Sequence, residues 1–189
     1  NWYGFSLRDL SGNAISGSSY SFTTGFDGDA TGPLFESATV FDGQTEVPTN
    51  VRLSVRFDEP LNPIEISGVE LRDESAELVI ADISFSADRR TLTVVPRQLL
   101  QPASSYSLTV AGVQDVSANP LLESVQLGFS TGMMLDNVRG AIRNWSYAQN
   151  AVLPLNAVLE VELNERIDPT MINTDASTGR ASFVLYSNT

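Results

Sequence analysis

The sequence has no cysteine, no histidine and no lysine, and each absence removes a class of chemistry. Without histidine or cysteine there is no Ser-His-Asp triad, no thiol nucleophile, no imidazole or thiolate zinc site and no disulfide. Without lysine there is neither a Schiff base nor a phosphate-binding P-loop. Carboxylates, hydroxyls, amides and arginine remain, and the oxygens among them are ligands for hard cations such as Ca²⁺. Positive charge is also scarce: 11 arginines stand against 23 acidic residues, a net charge of −12. A surface of that sign repels phosphate backbones and anionic membranes, so no nucleic-acid partner is expected. No apolar run approaches the roughly 20 residues a membrane helix needs, so no membrane insertion is expected. The opening residues, Asn1-Trp2-Tyr3-Gly4, are neither a start methionine nor a signal peptide, which suggests a processed or partial product. With 42% hydrophobic and 18% charged residues, the chain has a globular composition.

What is present is repetition. Residues 47–63, VPTNVRLSVRFDEPLNP, align without a gap on 153–169, LPLNAVLEVELNERIDP, at an offset of 106. Pro48, Asn50, Glu59 and Pro63 fall on Pro154, Asn156, Glu165 and Pro169, and Leu53, Val55, Phe57 and Leu61 fall on Leu159, Val161, Leu163 and Ile167. Asp9-Leu-Ser-Gly-Asn13 matches Asp115-Val-Ser-Ala-Asn119 at the same offset of 106, and Phe22-Thr-Thr-Gly25 matches Phe129-Ser-Thr-Gly132 at 107. Two separate segments that share one period point to a tandem array. The expected organisation is the end of one repeat over 1–25, a linker over 26–32, a whole repeat over 33–132 and the start of another over 133–189.

Within the whole repeat, apolar residues alternate with polar ones. Leu53, Val55 and Phe57 interleave with Arg52, Ser54 and Arg56; Tyr106, Leu108 and Val110 interleave with Ser and Thr; Val125, Leu127 and Phe129 do the same. Further strands are expected near 36–41, 66–72, 77–85 and 91–95, with a shift of parity between Ile80 and Ile83 that suggests a bulge or turn. Turn pairs such as Asp42-Gly43, Asn62-Pro63 and Gln101-Pro102 separate the runs. About seven short strands in about 100 residues predict an all-β fold of tandem Ig-like sandwiches.

The order of motifs carries a resemblance. A VP-x-N lead-in is followed by F-x-E-P-x-x-P, S-x-D-R-R-T-L-T-V-x-P, L-x-P-x-x-x-Y-x-L-T-V, the D-x-S-A-N turn and a closing F-S-T-G. This resembles the bacterial Ig-like domain of the S-layer (SbsA-like) type, found in tandem in surface-layer proteins, large adhesins and extracellular polymer-degrading enzymes. Arg166, where the pattern has proline, and Asn144-Trp145-Ser-Tyr147, in place of a small polar lead-in, are departures. The resemblance implies a non-catalytic module at the bacterial cell surface or outside the cell, a spacer or stalk. Its implied partners are neighbouring repeats or like subunits, and a surface glycan or protein ligand. Two alternatives stand beside it: a subunit of an extracellular filament or sheath joined through inter-chain sandwich contacts, and an accessory module of a polymer-degrading enzyme.

No catalytic residues are nominated. The neighbours Asp58-Glu59 and Asp73-Glu74 would point to opposite faces of a strand, so neither pair forms a facing dyad. For structural Ca²⁺, the oxygen-rich linker 26–33 offers Asp27 and Asp29, and the D-x-x-x-N turn offers Asp115 and Asn119. The competing reading is that these turns hydrogen-bond to their own backbone in a solvated linker. Trp2, Trp145 and Tyr147 are expected to pack in a core or between domains, with sugar stacking as the rival. The change from Arg52, Ser54 and Arg56 to Val158, Glu160 and Glu162 gives successive repeats contrasting charge.

Overall fold

The computed structural model describes residues 8–14, 21, 23 and 28–172. Eight strands between Phe35 and Thr131 form two four-stranded sheets. One sheet has the order β1 (Phe35–Ala38), β3 (Leu53–Phe57), β6 (Thr91–Pro96), β5 (Ala81–Phe85), all antiparallel. The other runs β2 (Gln44–Val47), β8 (Val125–Thr131), β7 (Ser105–Ala111), β4 (Gly68–Asp73), where β2 lies parallel to β8 and the remaining pairs are antiparallel. The inward residues of both sheets meet in one core: Leu53, Val55, Phe57 and Leu92 from the first, Leu71, Leu108, Val110 and Phe129 from the second. The all-β Ig-like sandwich expected from the alternation is the fold observed.

Two details differ from expectation. The domain has eight strands, because Gln44-Thr-Glu-Val47 adds a short strand that is too polar to show an alternating pattern. The parity shift near Ile80 is neither a bulge nor a simple turn within one strand. Leu78 bridges Arg72 of β4 in one sheet, and by Ala81 the chain has joined β6 in the other. At the corner leading into β7, the hydroxyl of Tyr106 accepts the Gln101 N–H at 2.8 Å, and its ring stacks on Phe129 with centroids 5.7 Å apart.

Beyond the sandwich, β9 (Ile142–Trp145) pairs antiparallel with β10 (Val161–Leu163). This pair copies β1–β3 in detail. Phe35 faces Phe57 and Ser37 faces Arg56, which leaves Glu36 as an extra residue; Ile142 faces Leu163 and Asn144 faces Glu162, which leaves Arg143. Leu34 and Asp58 exchange hydrogen bonds at 2.7 and 3.1 Å, as Ala141 and Asn164 do at 2.6 and 3.0 Å.

Candidate functional site

The aspartate turns are built from their own chain. Asp115 accepts the N–H groups of Ser117 and Asn119 on Oδ1 at 2.7 and 2.8 Å, and the Asn119 side-chain amide on Oδ2 at 2.7 Å. Asp9 is held the same way by Ser11 and Asn13. A third turn of this kind, which the sequence comparison missed, uses Asp73 to accept from Ser75 and Glu77 at 2.9 and 3.0 Å. In all three the fourth residue is left-handed: Gly12, Ala76 and Ala118 at φ 84°, 61° and 68°. Hydrogen bonds from Asn13 hold the Asp9 carboxyl below its ordinary pKa.

The turn at Asp115 also meets the incoming linker. Asn119 donates to the Asp29 carbonyl at 3.3 Å, and Asp29 caps its own bend by accepting the Thr31 N–H at 3.2 Å. The linker then passes so close to the turn that a Cβ on Gly32 would lie 1.8 Å from the Pro120 carbonyl oxygen; only glycine fits there. The result brings Asp29, Glu59 and Asp115 together, with one carboxylate oxygen of each within 4.8 Å of the others. Asp29 is exposed, Glu59 half-buried and Asp115 fully buried.

Their proton affinities diverge. Burial pushes Asp115 up, but the side-chain and backbone bonds from Asn119 and the Ser117 N–H outweigh it, so its pKa lies below the ordinary value. Burial raises Glu59, and the neighbouring charges of Asp29, Asp115 and Asp58 raise it further. Of the residues expected to hold a cation, Asp29 and Asp115 are adjacent, Asn119 sits behind Asp115 as its donor, and Asp27 lies outside the described residues. Glu59 was overlooked as a member of the cluster. Its recurrence as Glu165 at the same offset was the available signal.

A second junction follows the domain. Asn50 clamps the outgoing linker from both sides: its Nδ2 donates to the Asp136 carbonyl at 2.7 Å, and its Oδ1 accepts the Asp136 N–H at 2.9 Å. The Thr49 N–H donates to Met134 O at 3.3 Å. The linker over 133–137 lacks the D-x-D-x-T order of the first, yet Asp136 caps a bend by accepting the Val138 N–H at 2.9 Å, as Asp29 does with Thr31. Further on, Thr39 donates to Asp168 at 3.0 Å and the Arg166 guanidinium lies 5.0 Å from the Phe41 ring centroid. The arginine that departs from the family pattern therefore has a partner in the sandwich, the Phe41 ring. A cleft of about 970 Å³ opens between Phe41, Val47 and Pro48 on one side and Leu163 and Ile167 on the other.

Ser54, expected to face solvent, is buried and shares a 3.1 Å hydrogen bond with Thr93. Trp145 and Tyr147 are not core residues; they are 57% and 38% exposed, and Trp2 lies outside the described residues. Asp58 and Glu59 lie in a bend just past β3 rather than on a strand, so strand alternation does not apply to them; Asp58 bonds to Leu34 while Glu59 turns to Asp29 and Asp115. Among the described residues no helix is long and apolar enough to cross a membrane.

Comparison with known proteins gives a family. Residues 29–131 match the bacterial Ig-like domain. No curated protein matches. Among solved structures, surface-layer protein SbsC (domains 1–6) is 16% identical over 62% of this chain and 16% of its own, with a TM-score of 0.42. CopC from Methylosinus trichosporium OB3b is 14% identical over 57% and 99%, TM-score 0.43. PcoC, a methionine-rich copper resistance protein from Escherichia coli, is 20% identical over 53% and 99%, TM-score 0.43. The chain thus spans about a sixth of the surface-layer chain. The matched residues take in both sheets of the sandwich and more than half of the sequence, and the chain belongs to the bacterial Ig-like domain family.

Proposed function

We propose that this chain is a stretch of a tandem Ig-like array that serves as a non-catalytic spacer or stalk in an exported bacterial surface protein of the S-layer or adhesin kind. In this reading residues 33–132 are one unit, 1–25 end the unit before it and 133–189 begin the next. The observation that carries it is the Asn50 clamp on Asp136, because a linker bonded on both sides transmits orientation where a solvated one does not. The same asparagine recurs as Asn156, placed to hold a following linker. Small-angle scattering tests the idea: the chain should scatter as one stiff body, and Asn50→Ala should broaden its distance distribution. Indistinguishable curves would overturn it.

The cluster of Asp29, Glu59 and Asp115 has the hard-oxygen chemistry that Ca²⁺ takes, with Asp29 and Glu59 and the remaining lone pairs of Asp115 as its protein ligands. A cation there would relieve the carboxylate repulsion and tie the linker to the domain. In calorimetry, Ca²⁺ should raise the melting temperature of the wild-type chain and EDTA reverse it, with Glu59→Gln blunting the response. Indifference to both would remove calcium and leave the spacer reading standing.

Assembly between chains is a second reading, favoured by the exposure of Ile142, Trp145 and Val158 at 51%, 57% and 70%.

A further inference from the structure

Side chains from both sides meet at the seam between the sandwich and the residues that follow it. The short 3₁₀ turn Pro169–Met171 packs against β1 and β3. Its cap, Asp168, joins the two parts. Oδ1 accepts the Thr170 N–H and hydroxyl at 2.9 and 2.7 Å, and Oδ2 accepts the Thr39 hydroxyl at 3.0 Å. The Thr39 oxygen in turn accepts the Ser54 N–H at 3.0 Å. A chain of hydrogen bonds therefore runs from the turn to the backbone of β3, and Thr170 is only 5% exposed. Two residues before the cap, the Arg166 guanidinium meets the Phe41 ring.

The sandwich carries the same turn with other side chains. At the offset of 106, Asn62, Pro63 and Ile64 stand where Asp168, Pro169 and Thr170 stand, and Pro60 stands where Arg166 does. The backbone is copied: Asn62 Oδ1 accepts the Ile64 N–H at 3.1 Å, as Asp168 accepts that of Thr170. The chemistry is not. Proline brings no charge to an aromatic face. With its oxygen on the Ile64 N–H, asparagine presents a donor where Asp168 presents an acceptor. Isoleucine has no hydroxyl to continue the chain, and Ile64 is 82% exposed.

We infer that Arg166, Asp168 and Thr170 are the residues by which the sandwich recognises the unit after it, through Phe41 and Thr39, and that a second copy of the sandwich does not fit that seat. The order of units is then set at the seam by one cation, one carboxylate and one hydroxyl. The inference rests on reading 133–172 as the start of the next unit.

The test transplants the sandwich's own turn into the seam of the intact chain. Nuclear magnetic resonance should show cross-relaxation between the 169–171 turn and β1 and β3, and Arg166→Pro with Asp168→Asn and Thr170→Ile should abolish it. The turn itself should survive, since Asn62 caps the same backbone, and the Asp136 amide should stay protected by Asn50. Three changes together can also unfold 133–172, so a second chain alters the sandwich instead. There Thr39→Val with Phe41→Leu should release the turn as well, whereas Thr170→Ser, which keeps the hydroxyl, should leave it seated. A seated turn in the triple variant would overturn the inference. So would indifference to the changes at Thr39 and Phe41, release by Thr170→Ser, or a wild-type chain without the cross-relaxation. If Asn50→Ala leaves the scattering unchanged while the seam responds as described, the stiff spacer falls and recognition at the seam stands.

Discussion

Ala76 and Ala118 hold a backbone conformation that Gly12 holds in the equivalent turn, and the difference has an energetic sign. A Cβ in the left-handed region costs about 1–2 kcal/mol, whereas glycine costs about 0.4–1 kcal/mol through the unfolded chain. The first effect is larger, so Ala76→Gly or Ala118→Gly should stabilise the domain by about 0.5–1 kcal/mol. Chemical denaturation would measure the gain, and a lower midpoint would contradict it. Tyr106→Phe has the opposite sign: it leaves the Gln101 N–H without its acceptor and should cost about 1–3 kcal/mol, read the same way. At Glu59 the expected effect depends on pH. Its raised pKa means the contribution it makes when protonated is present below the ordinary glutamate range and lost as pH rises through the folded value. Without Ca²⁺, Glu59→Gln should therefore stabilise the chain at pH 7, with the advantage fading toward pH 4; an advantage that grows on acidification would refute this. Asp115, depressed, works in reverse and loses its contribution as pH falls. The residue order D-x-x-x-N made two of the three turns readable. The turn at Asp73 escaped because Glu77 stands where the others have asparagine, although the backbone bonds are the same.

Among elements, the reversed ion pairs Glu36–Arg56 and Arg143–Glu162 show one geometry served by either polarity. Both are partly exposed, so each contributes on the order of 0.2–1 kcal/mol. Arg56→Glu should cost up to about 1 kcal/mol by urea unfolding, and Glu36→Arg in the same chain should recover part of it; no recovery would break the equivalence of the two pairs. The strands that were legible are those whose alternation reports a buried face: β3, β7 and β8. The strand β2 was not, because two of its four residues are exposed and its pairing depends on β8, more than 70 residues away. Nor could alternation reveal that the chain changes sheets between Leu78 and Ala81, since both sheets present the same period.

For the whole molecule, the similarity of 47–63 to 153–169 is visible in the aligned motifs, but the similarity of the two linker bends is not. The strand β3 maps to β10 at an offset of 106, whereas the Asp29 bend maps to Asp136 at 107, so a single offset hides the match. The acidic cluster was half legible for a related reason. Its members come from a linker, the end of β3 and a turn before β8, and only folding brings those three places together. The same separation means that the cluster reports the join between linker and domain as well as the domain itself.

The parallel pairing of β2 with β8 has a consequence under load. Val47 accepts the Gly132 N–H at 2.9 Å, and the Gly43 N–H donates to Gly128 O at 2.7 Å, so the ladder lies between the way in and the way out of the domain. Tension applied at the two ends would drag parallel neighbours in opposite directions and strain these bonds together in shear, rather than peeling them off singly like the teeth of a zip. A domain stretched between Pro33 and Gly132 should release β1 early and then yield in one abrupt rupture at β2–β8, which force spectroscopy would record as a single high peak.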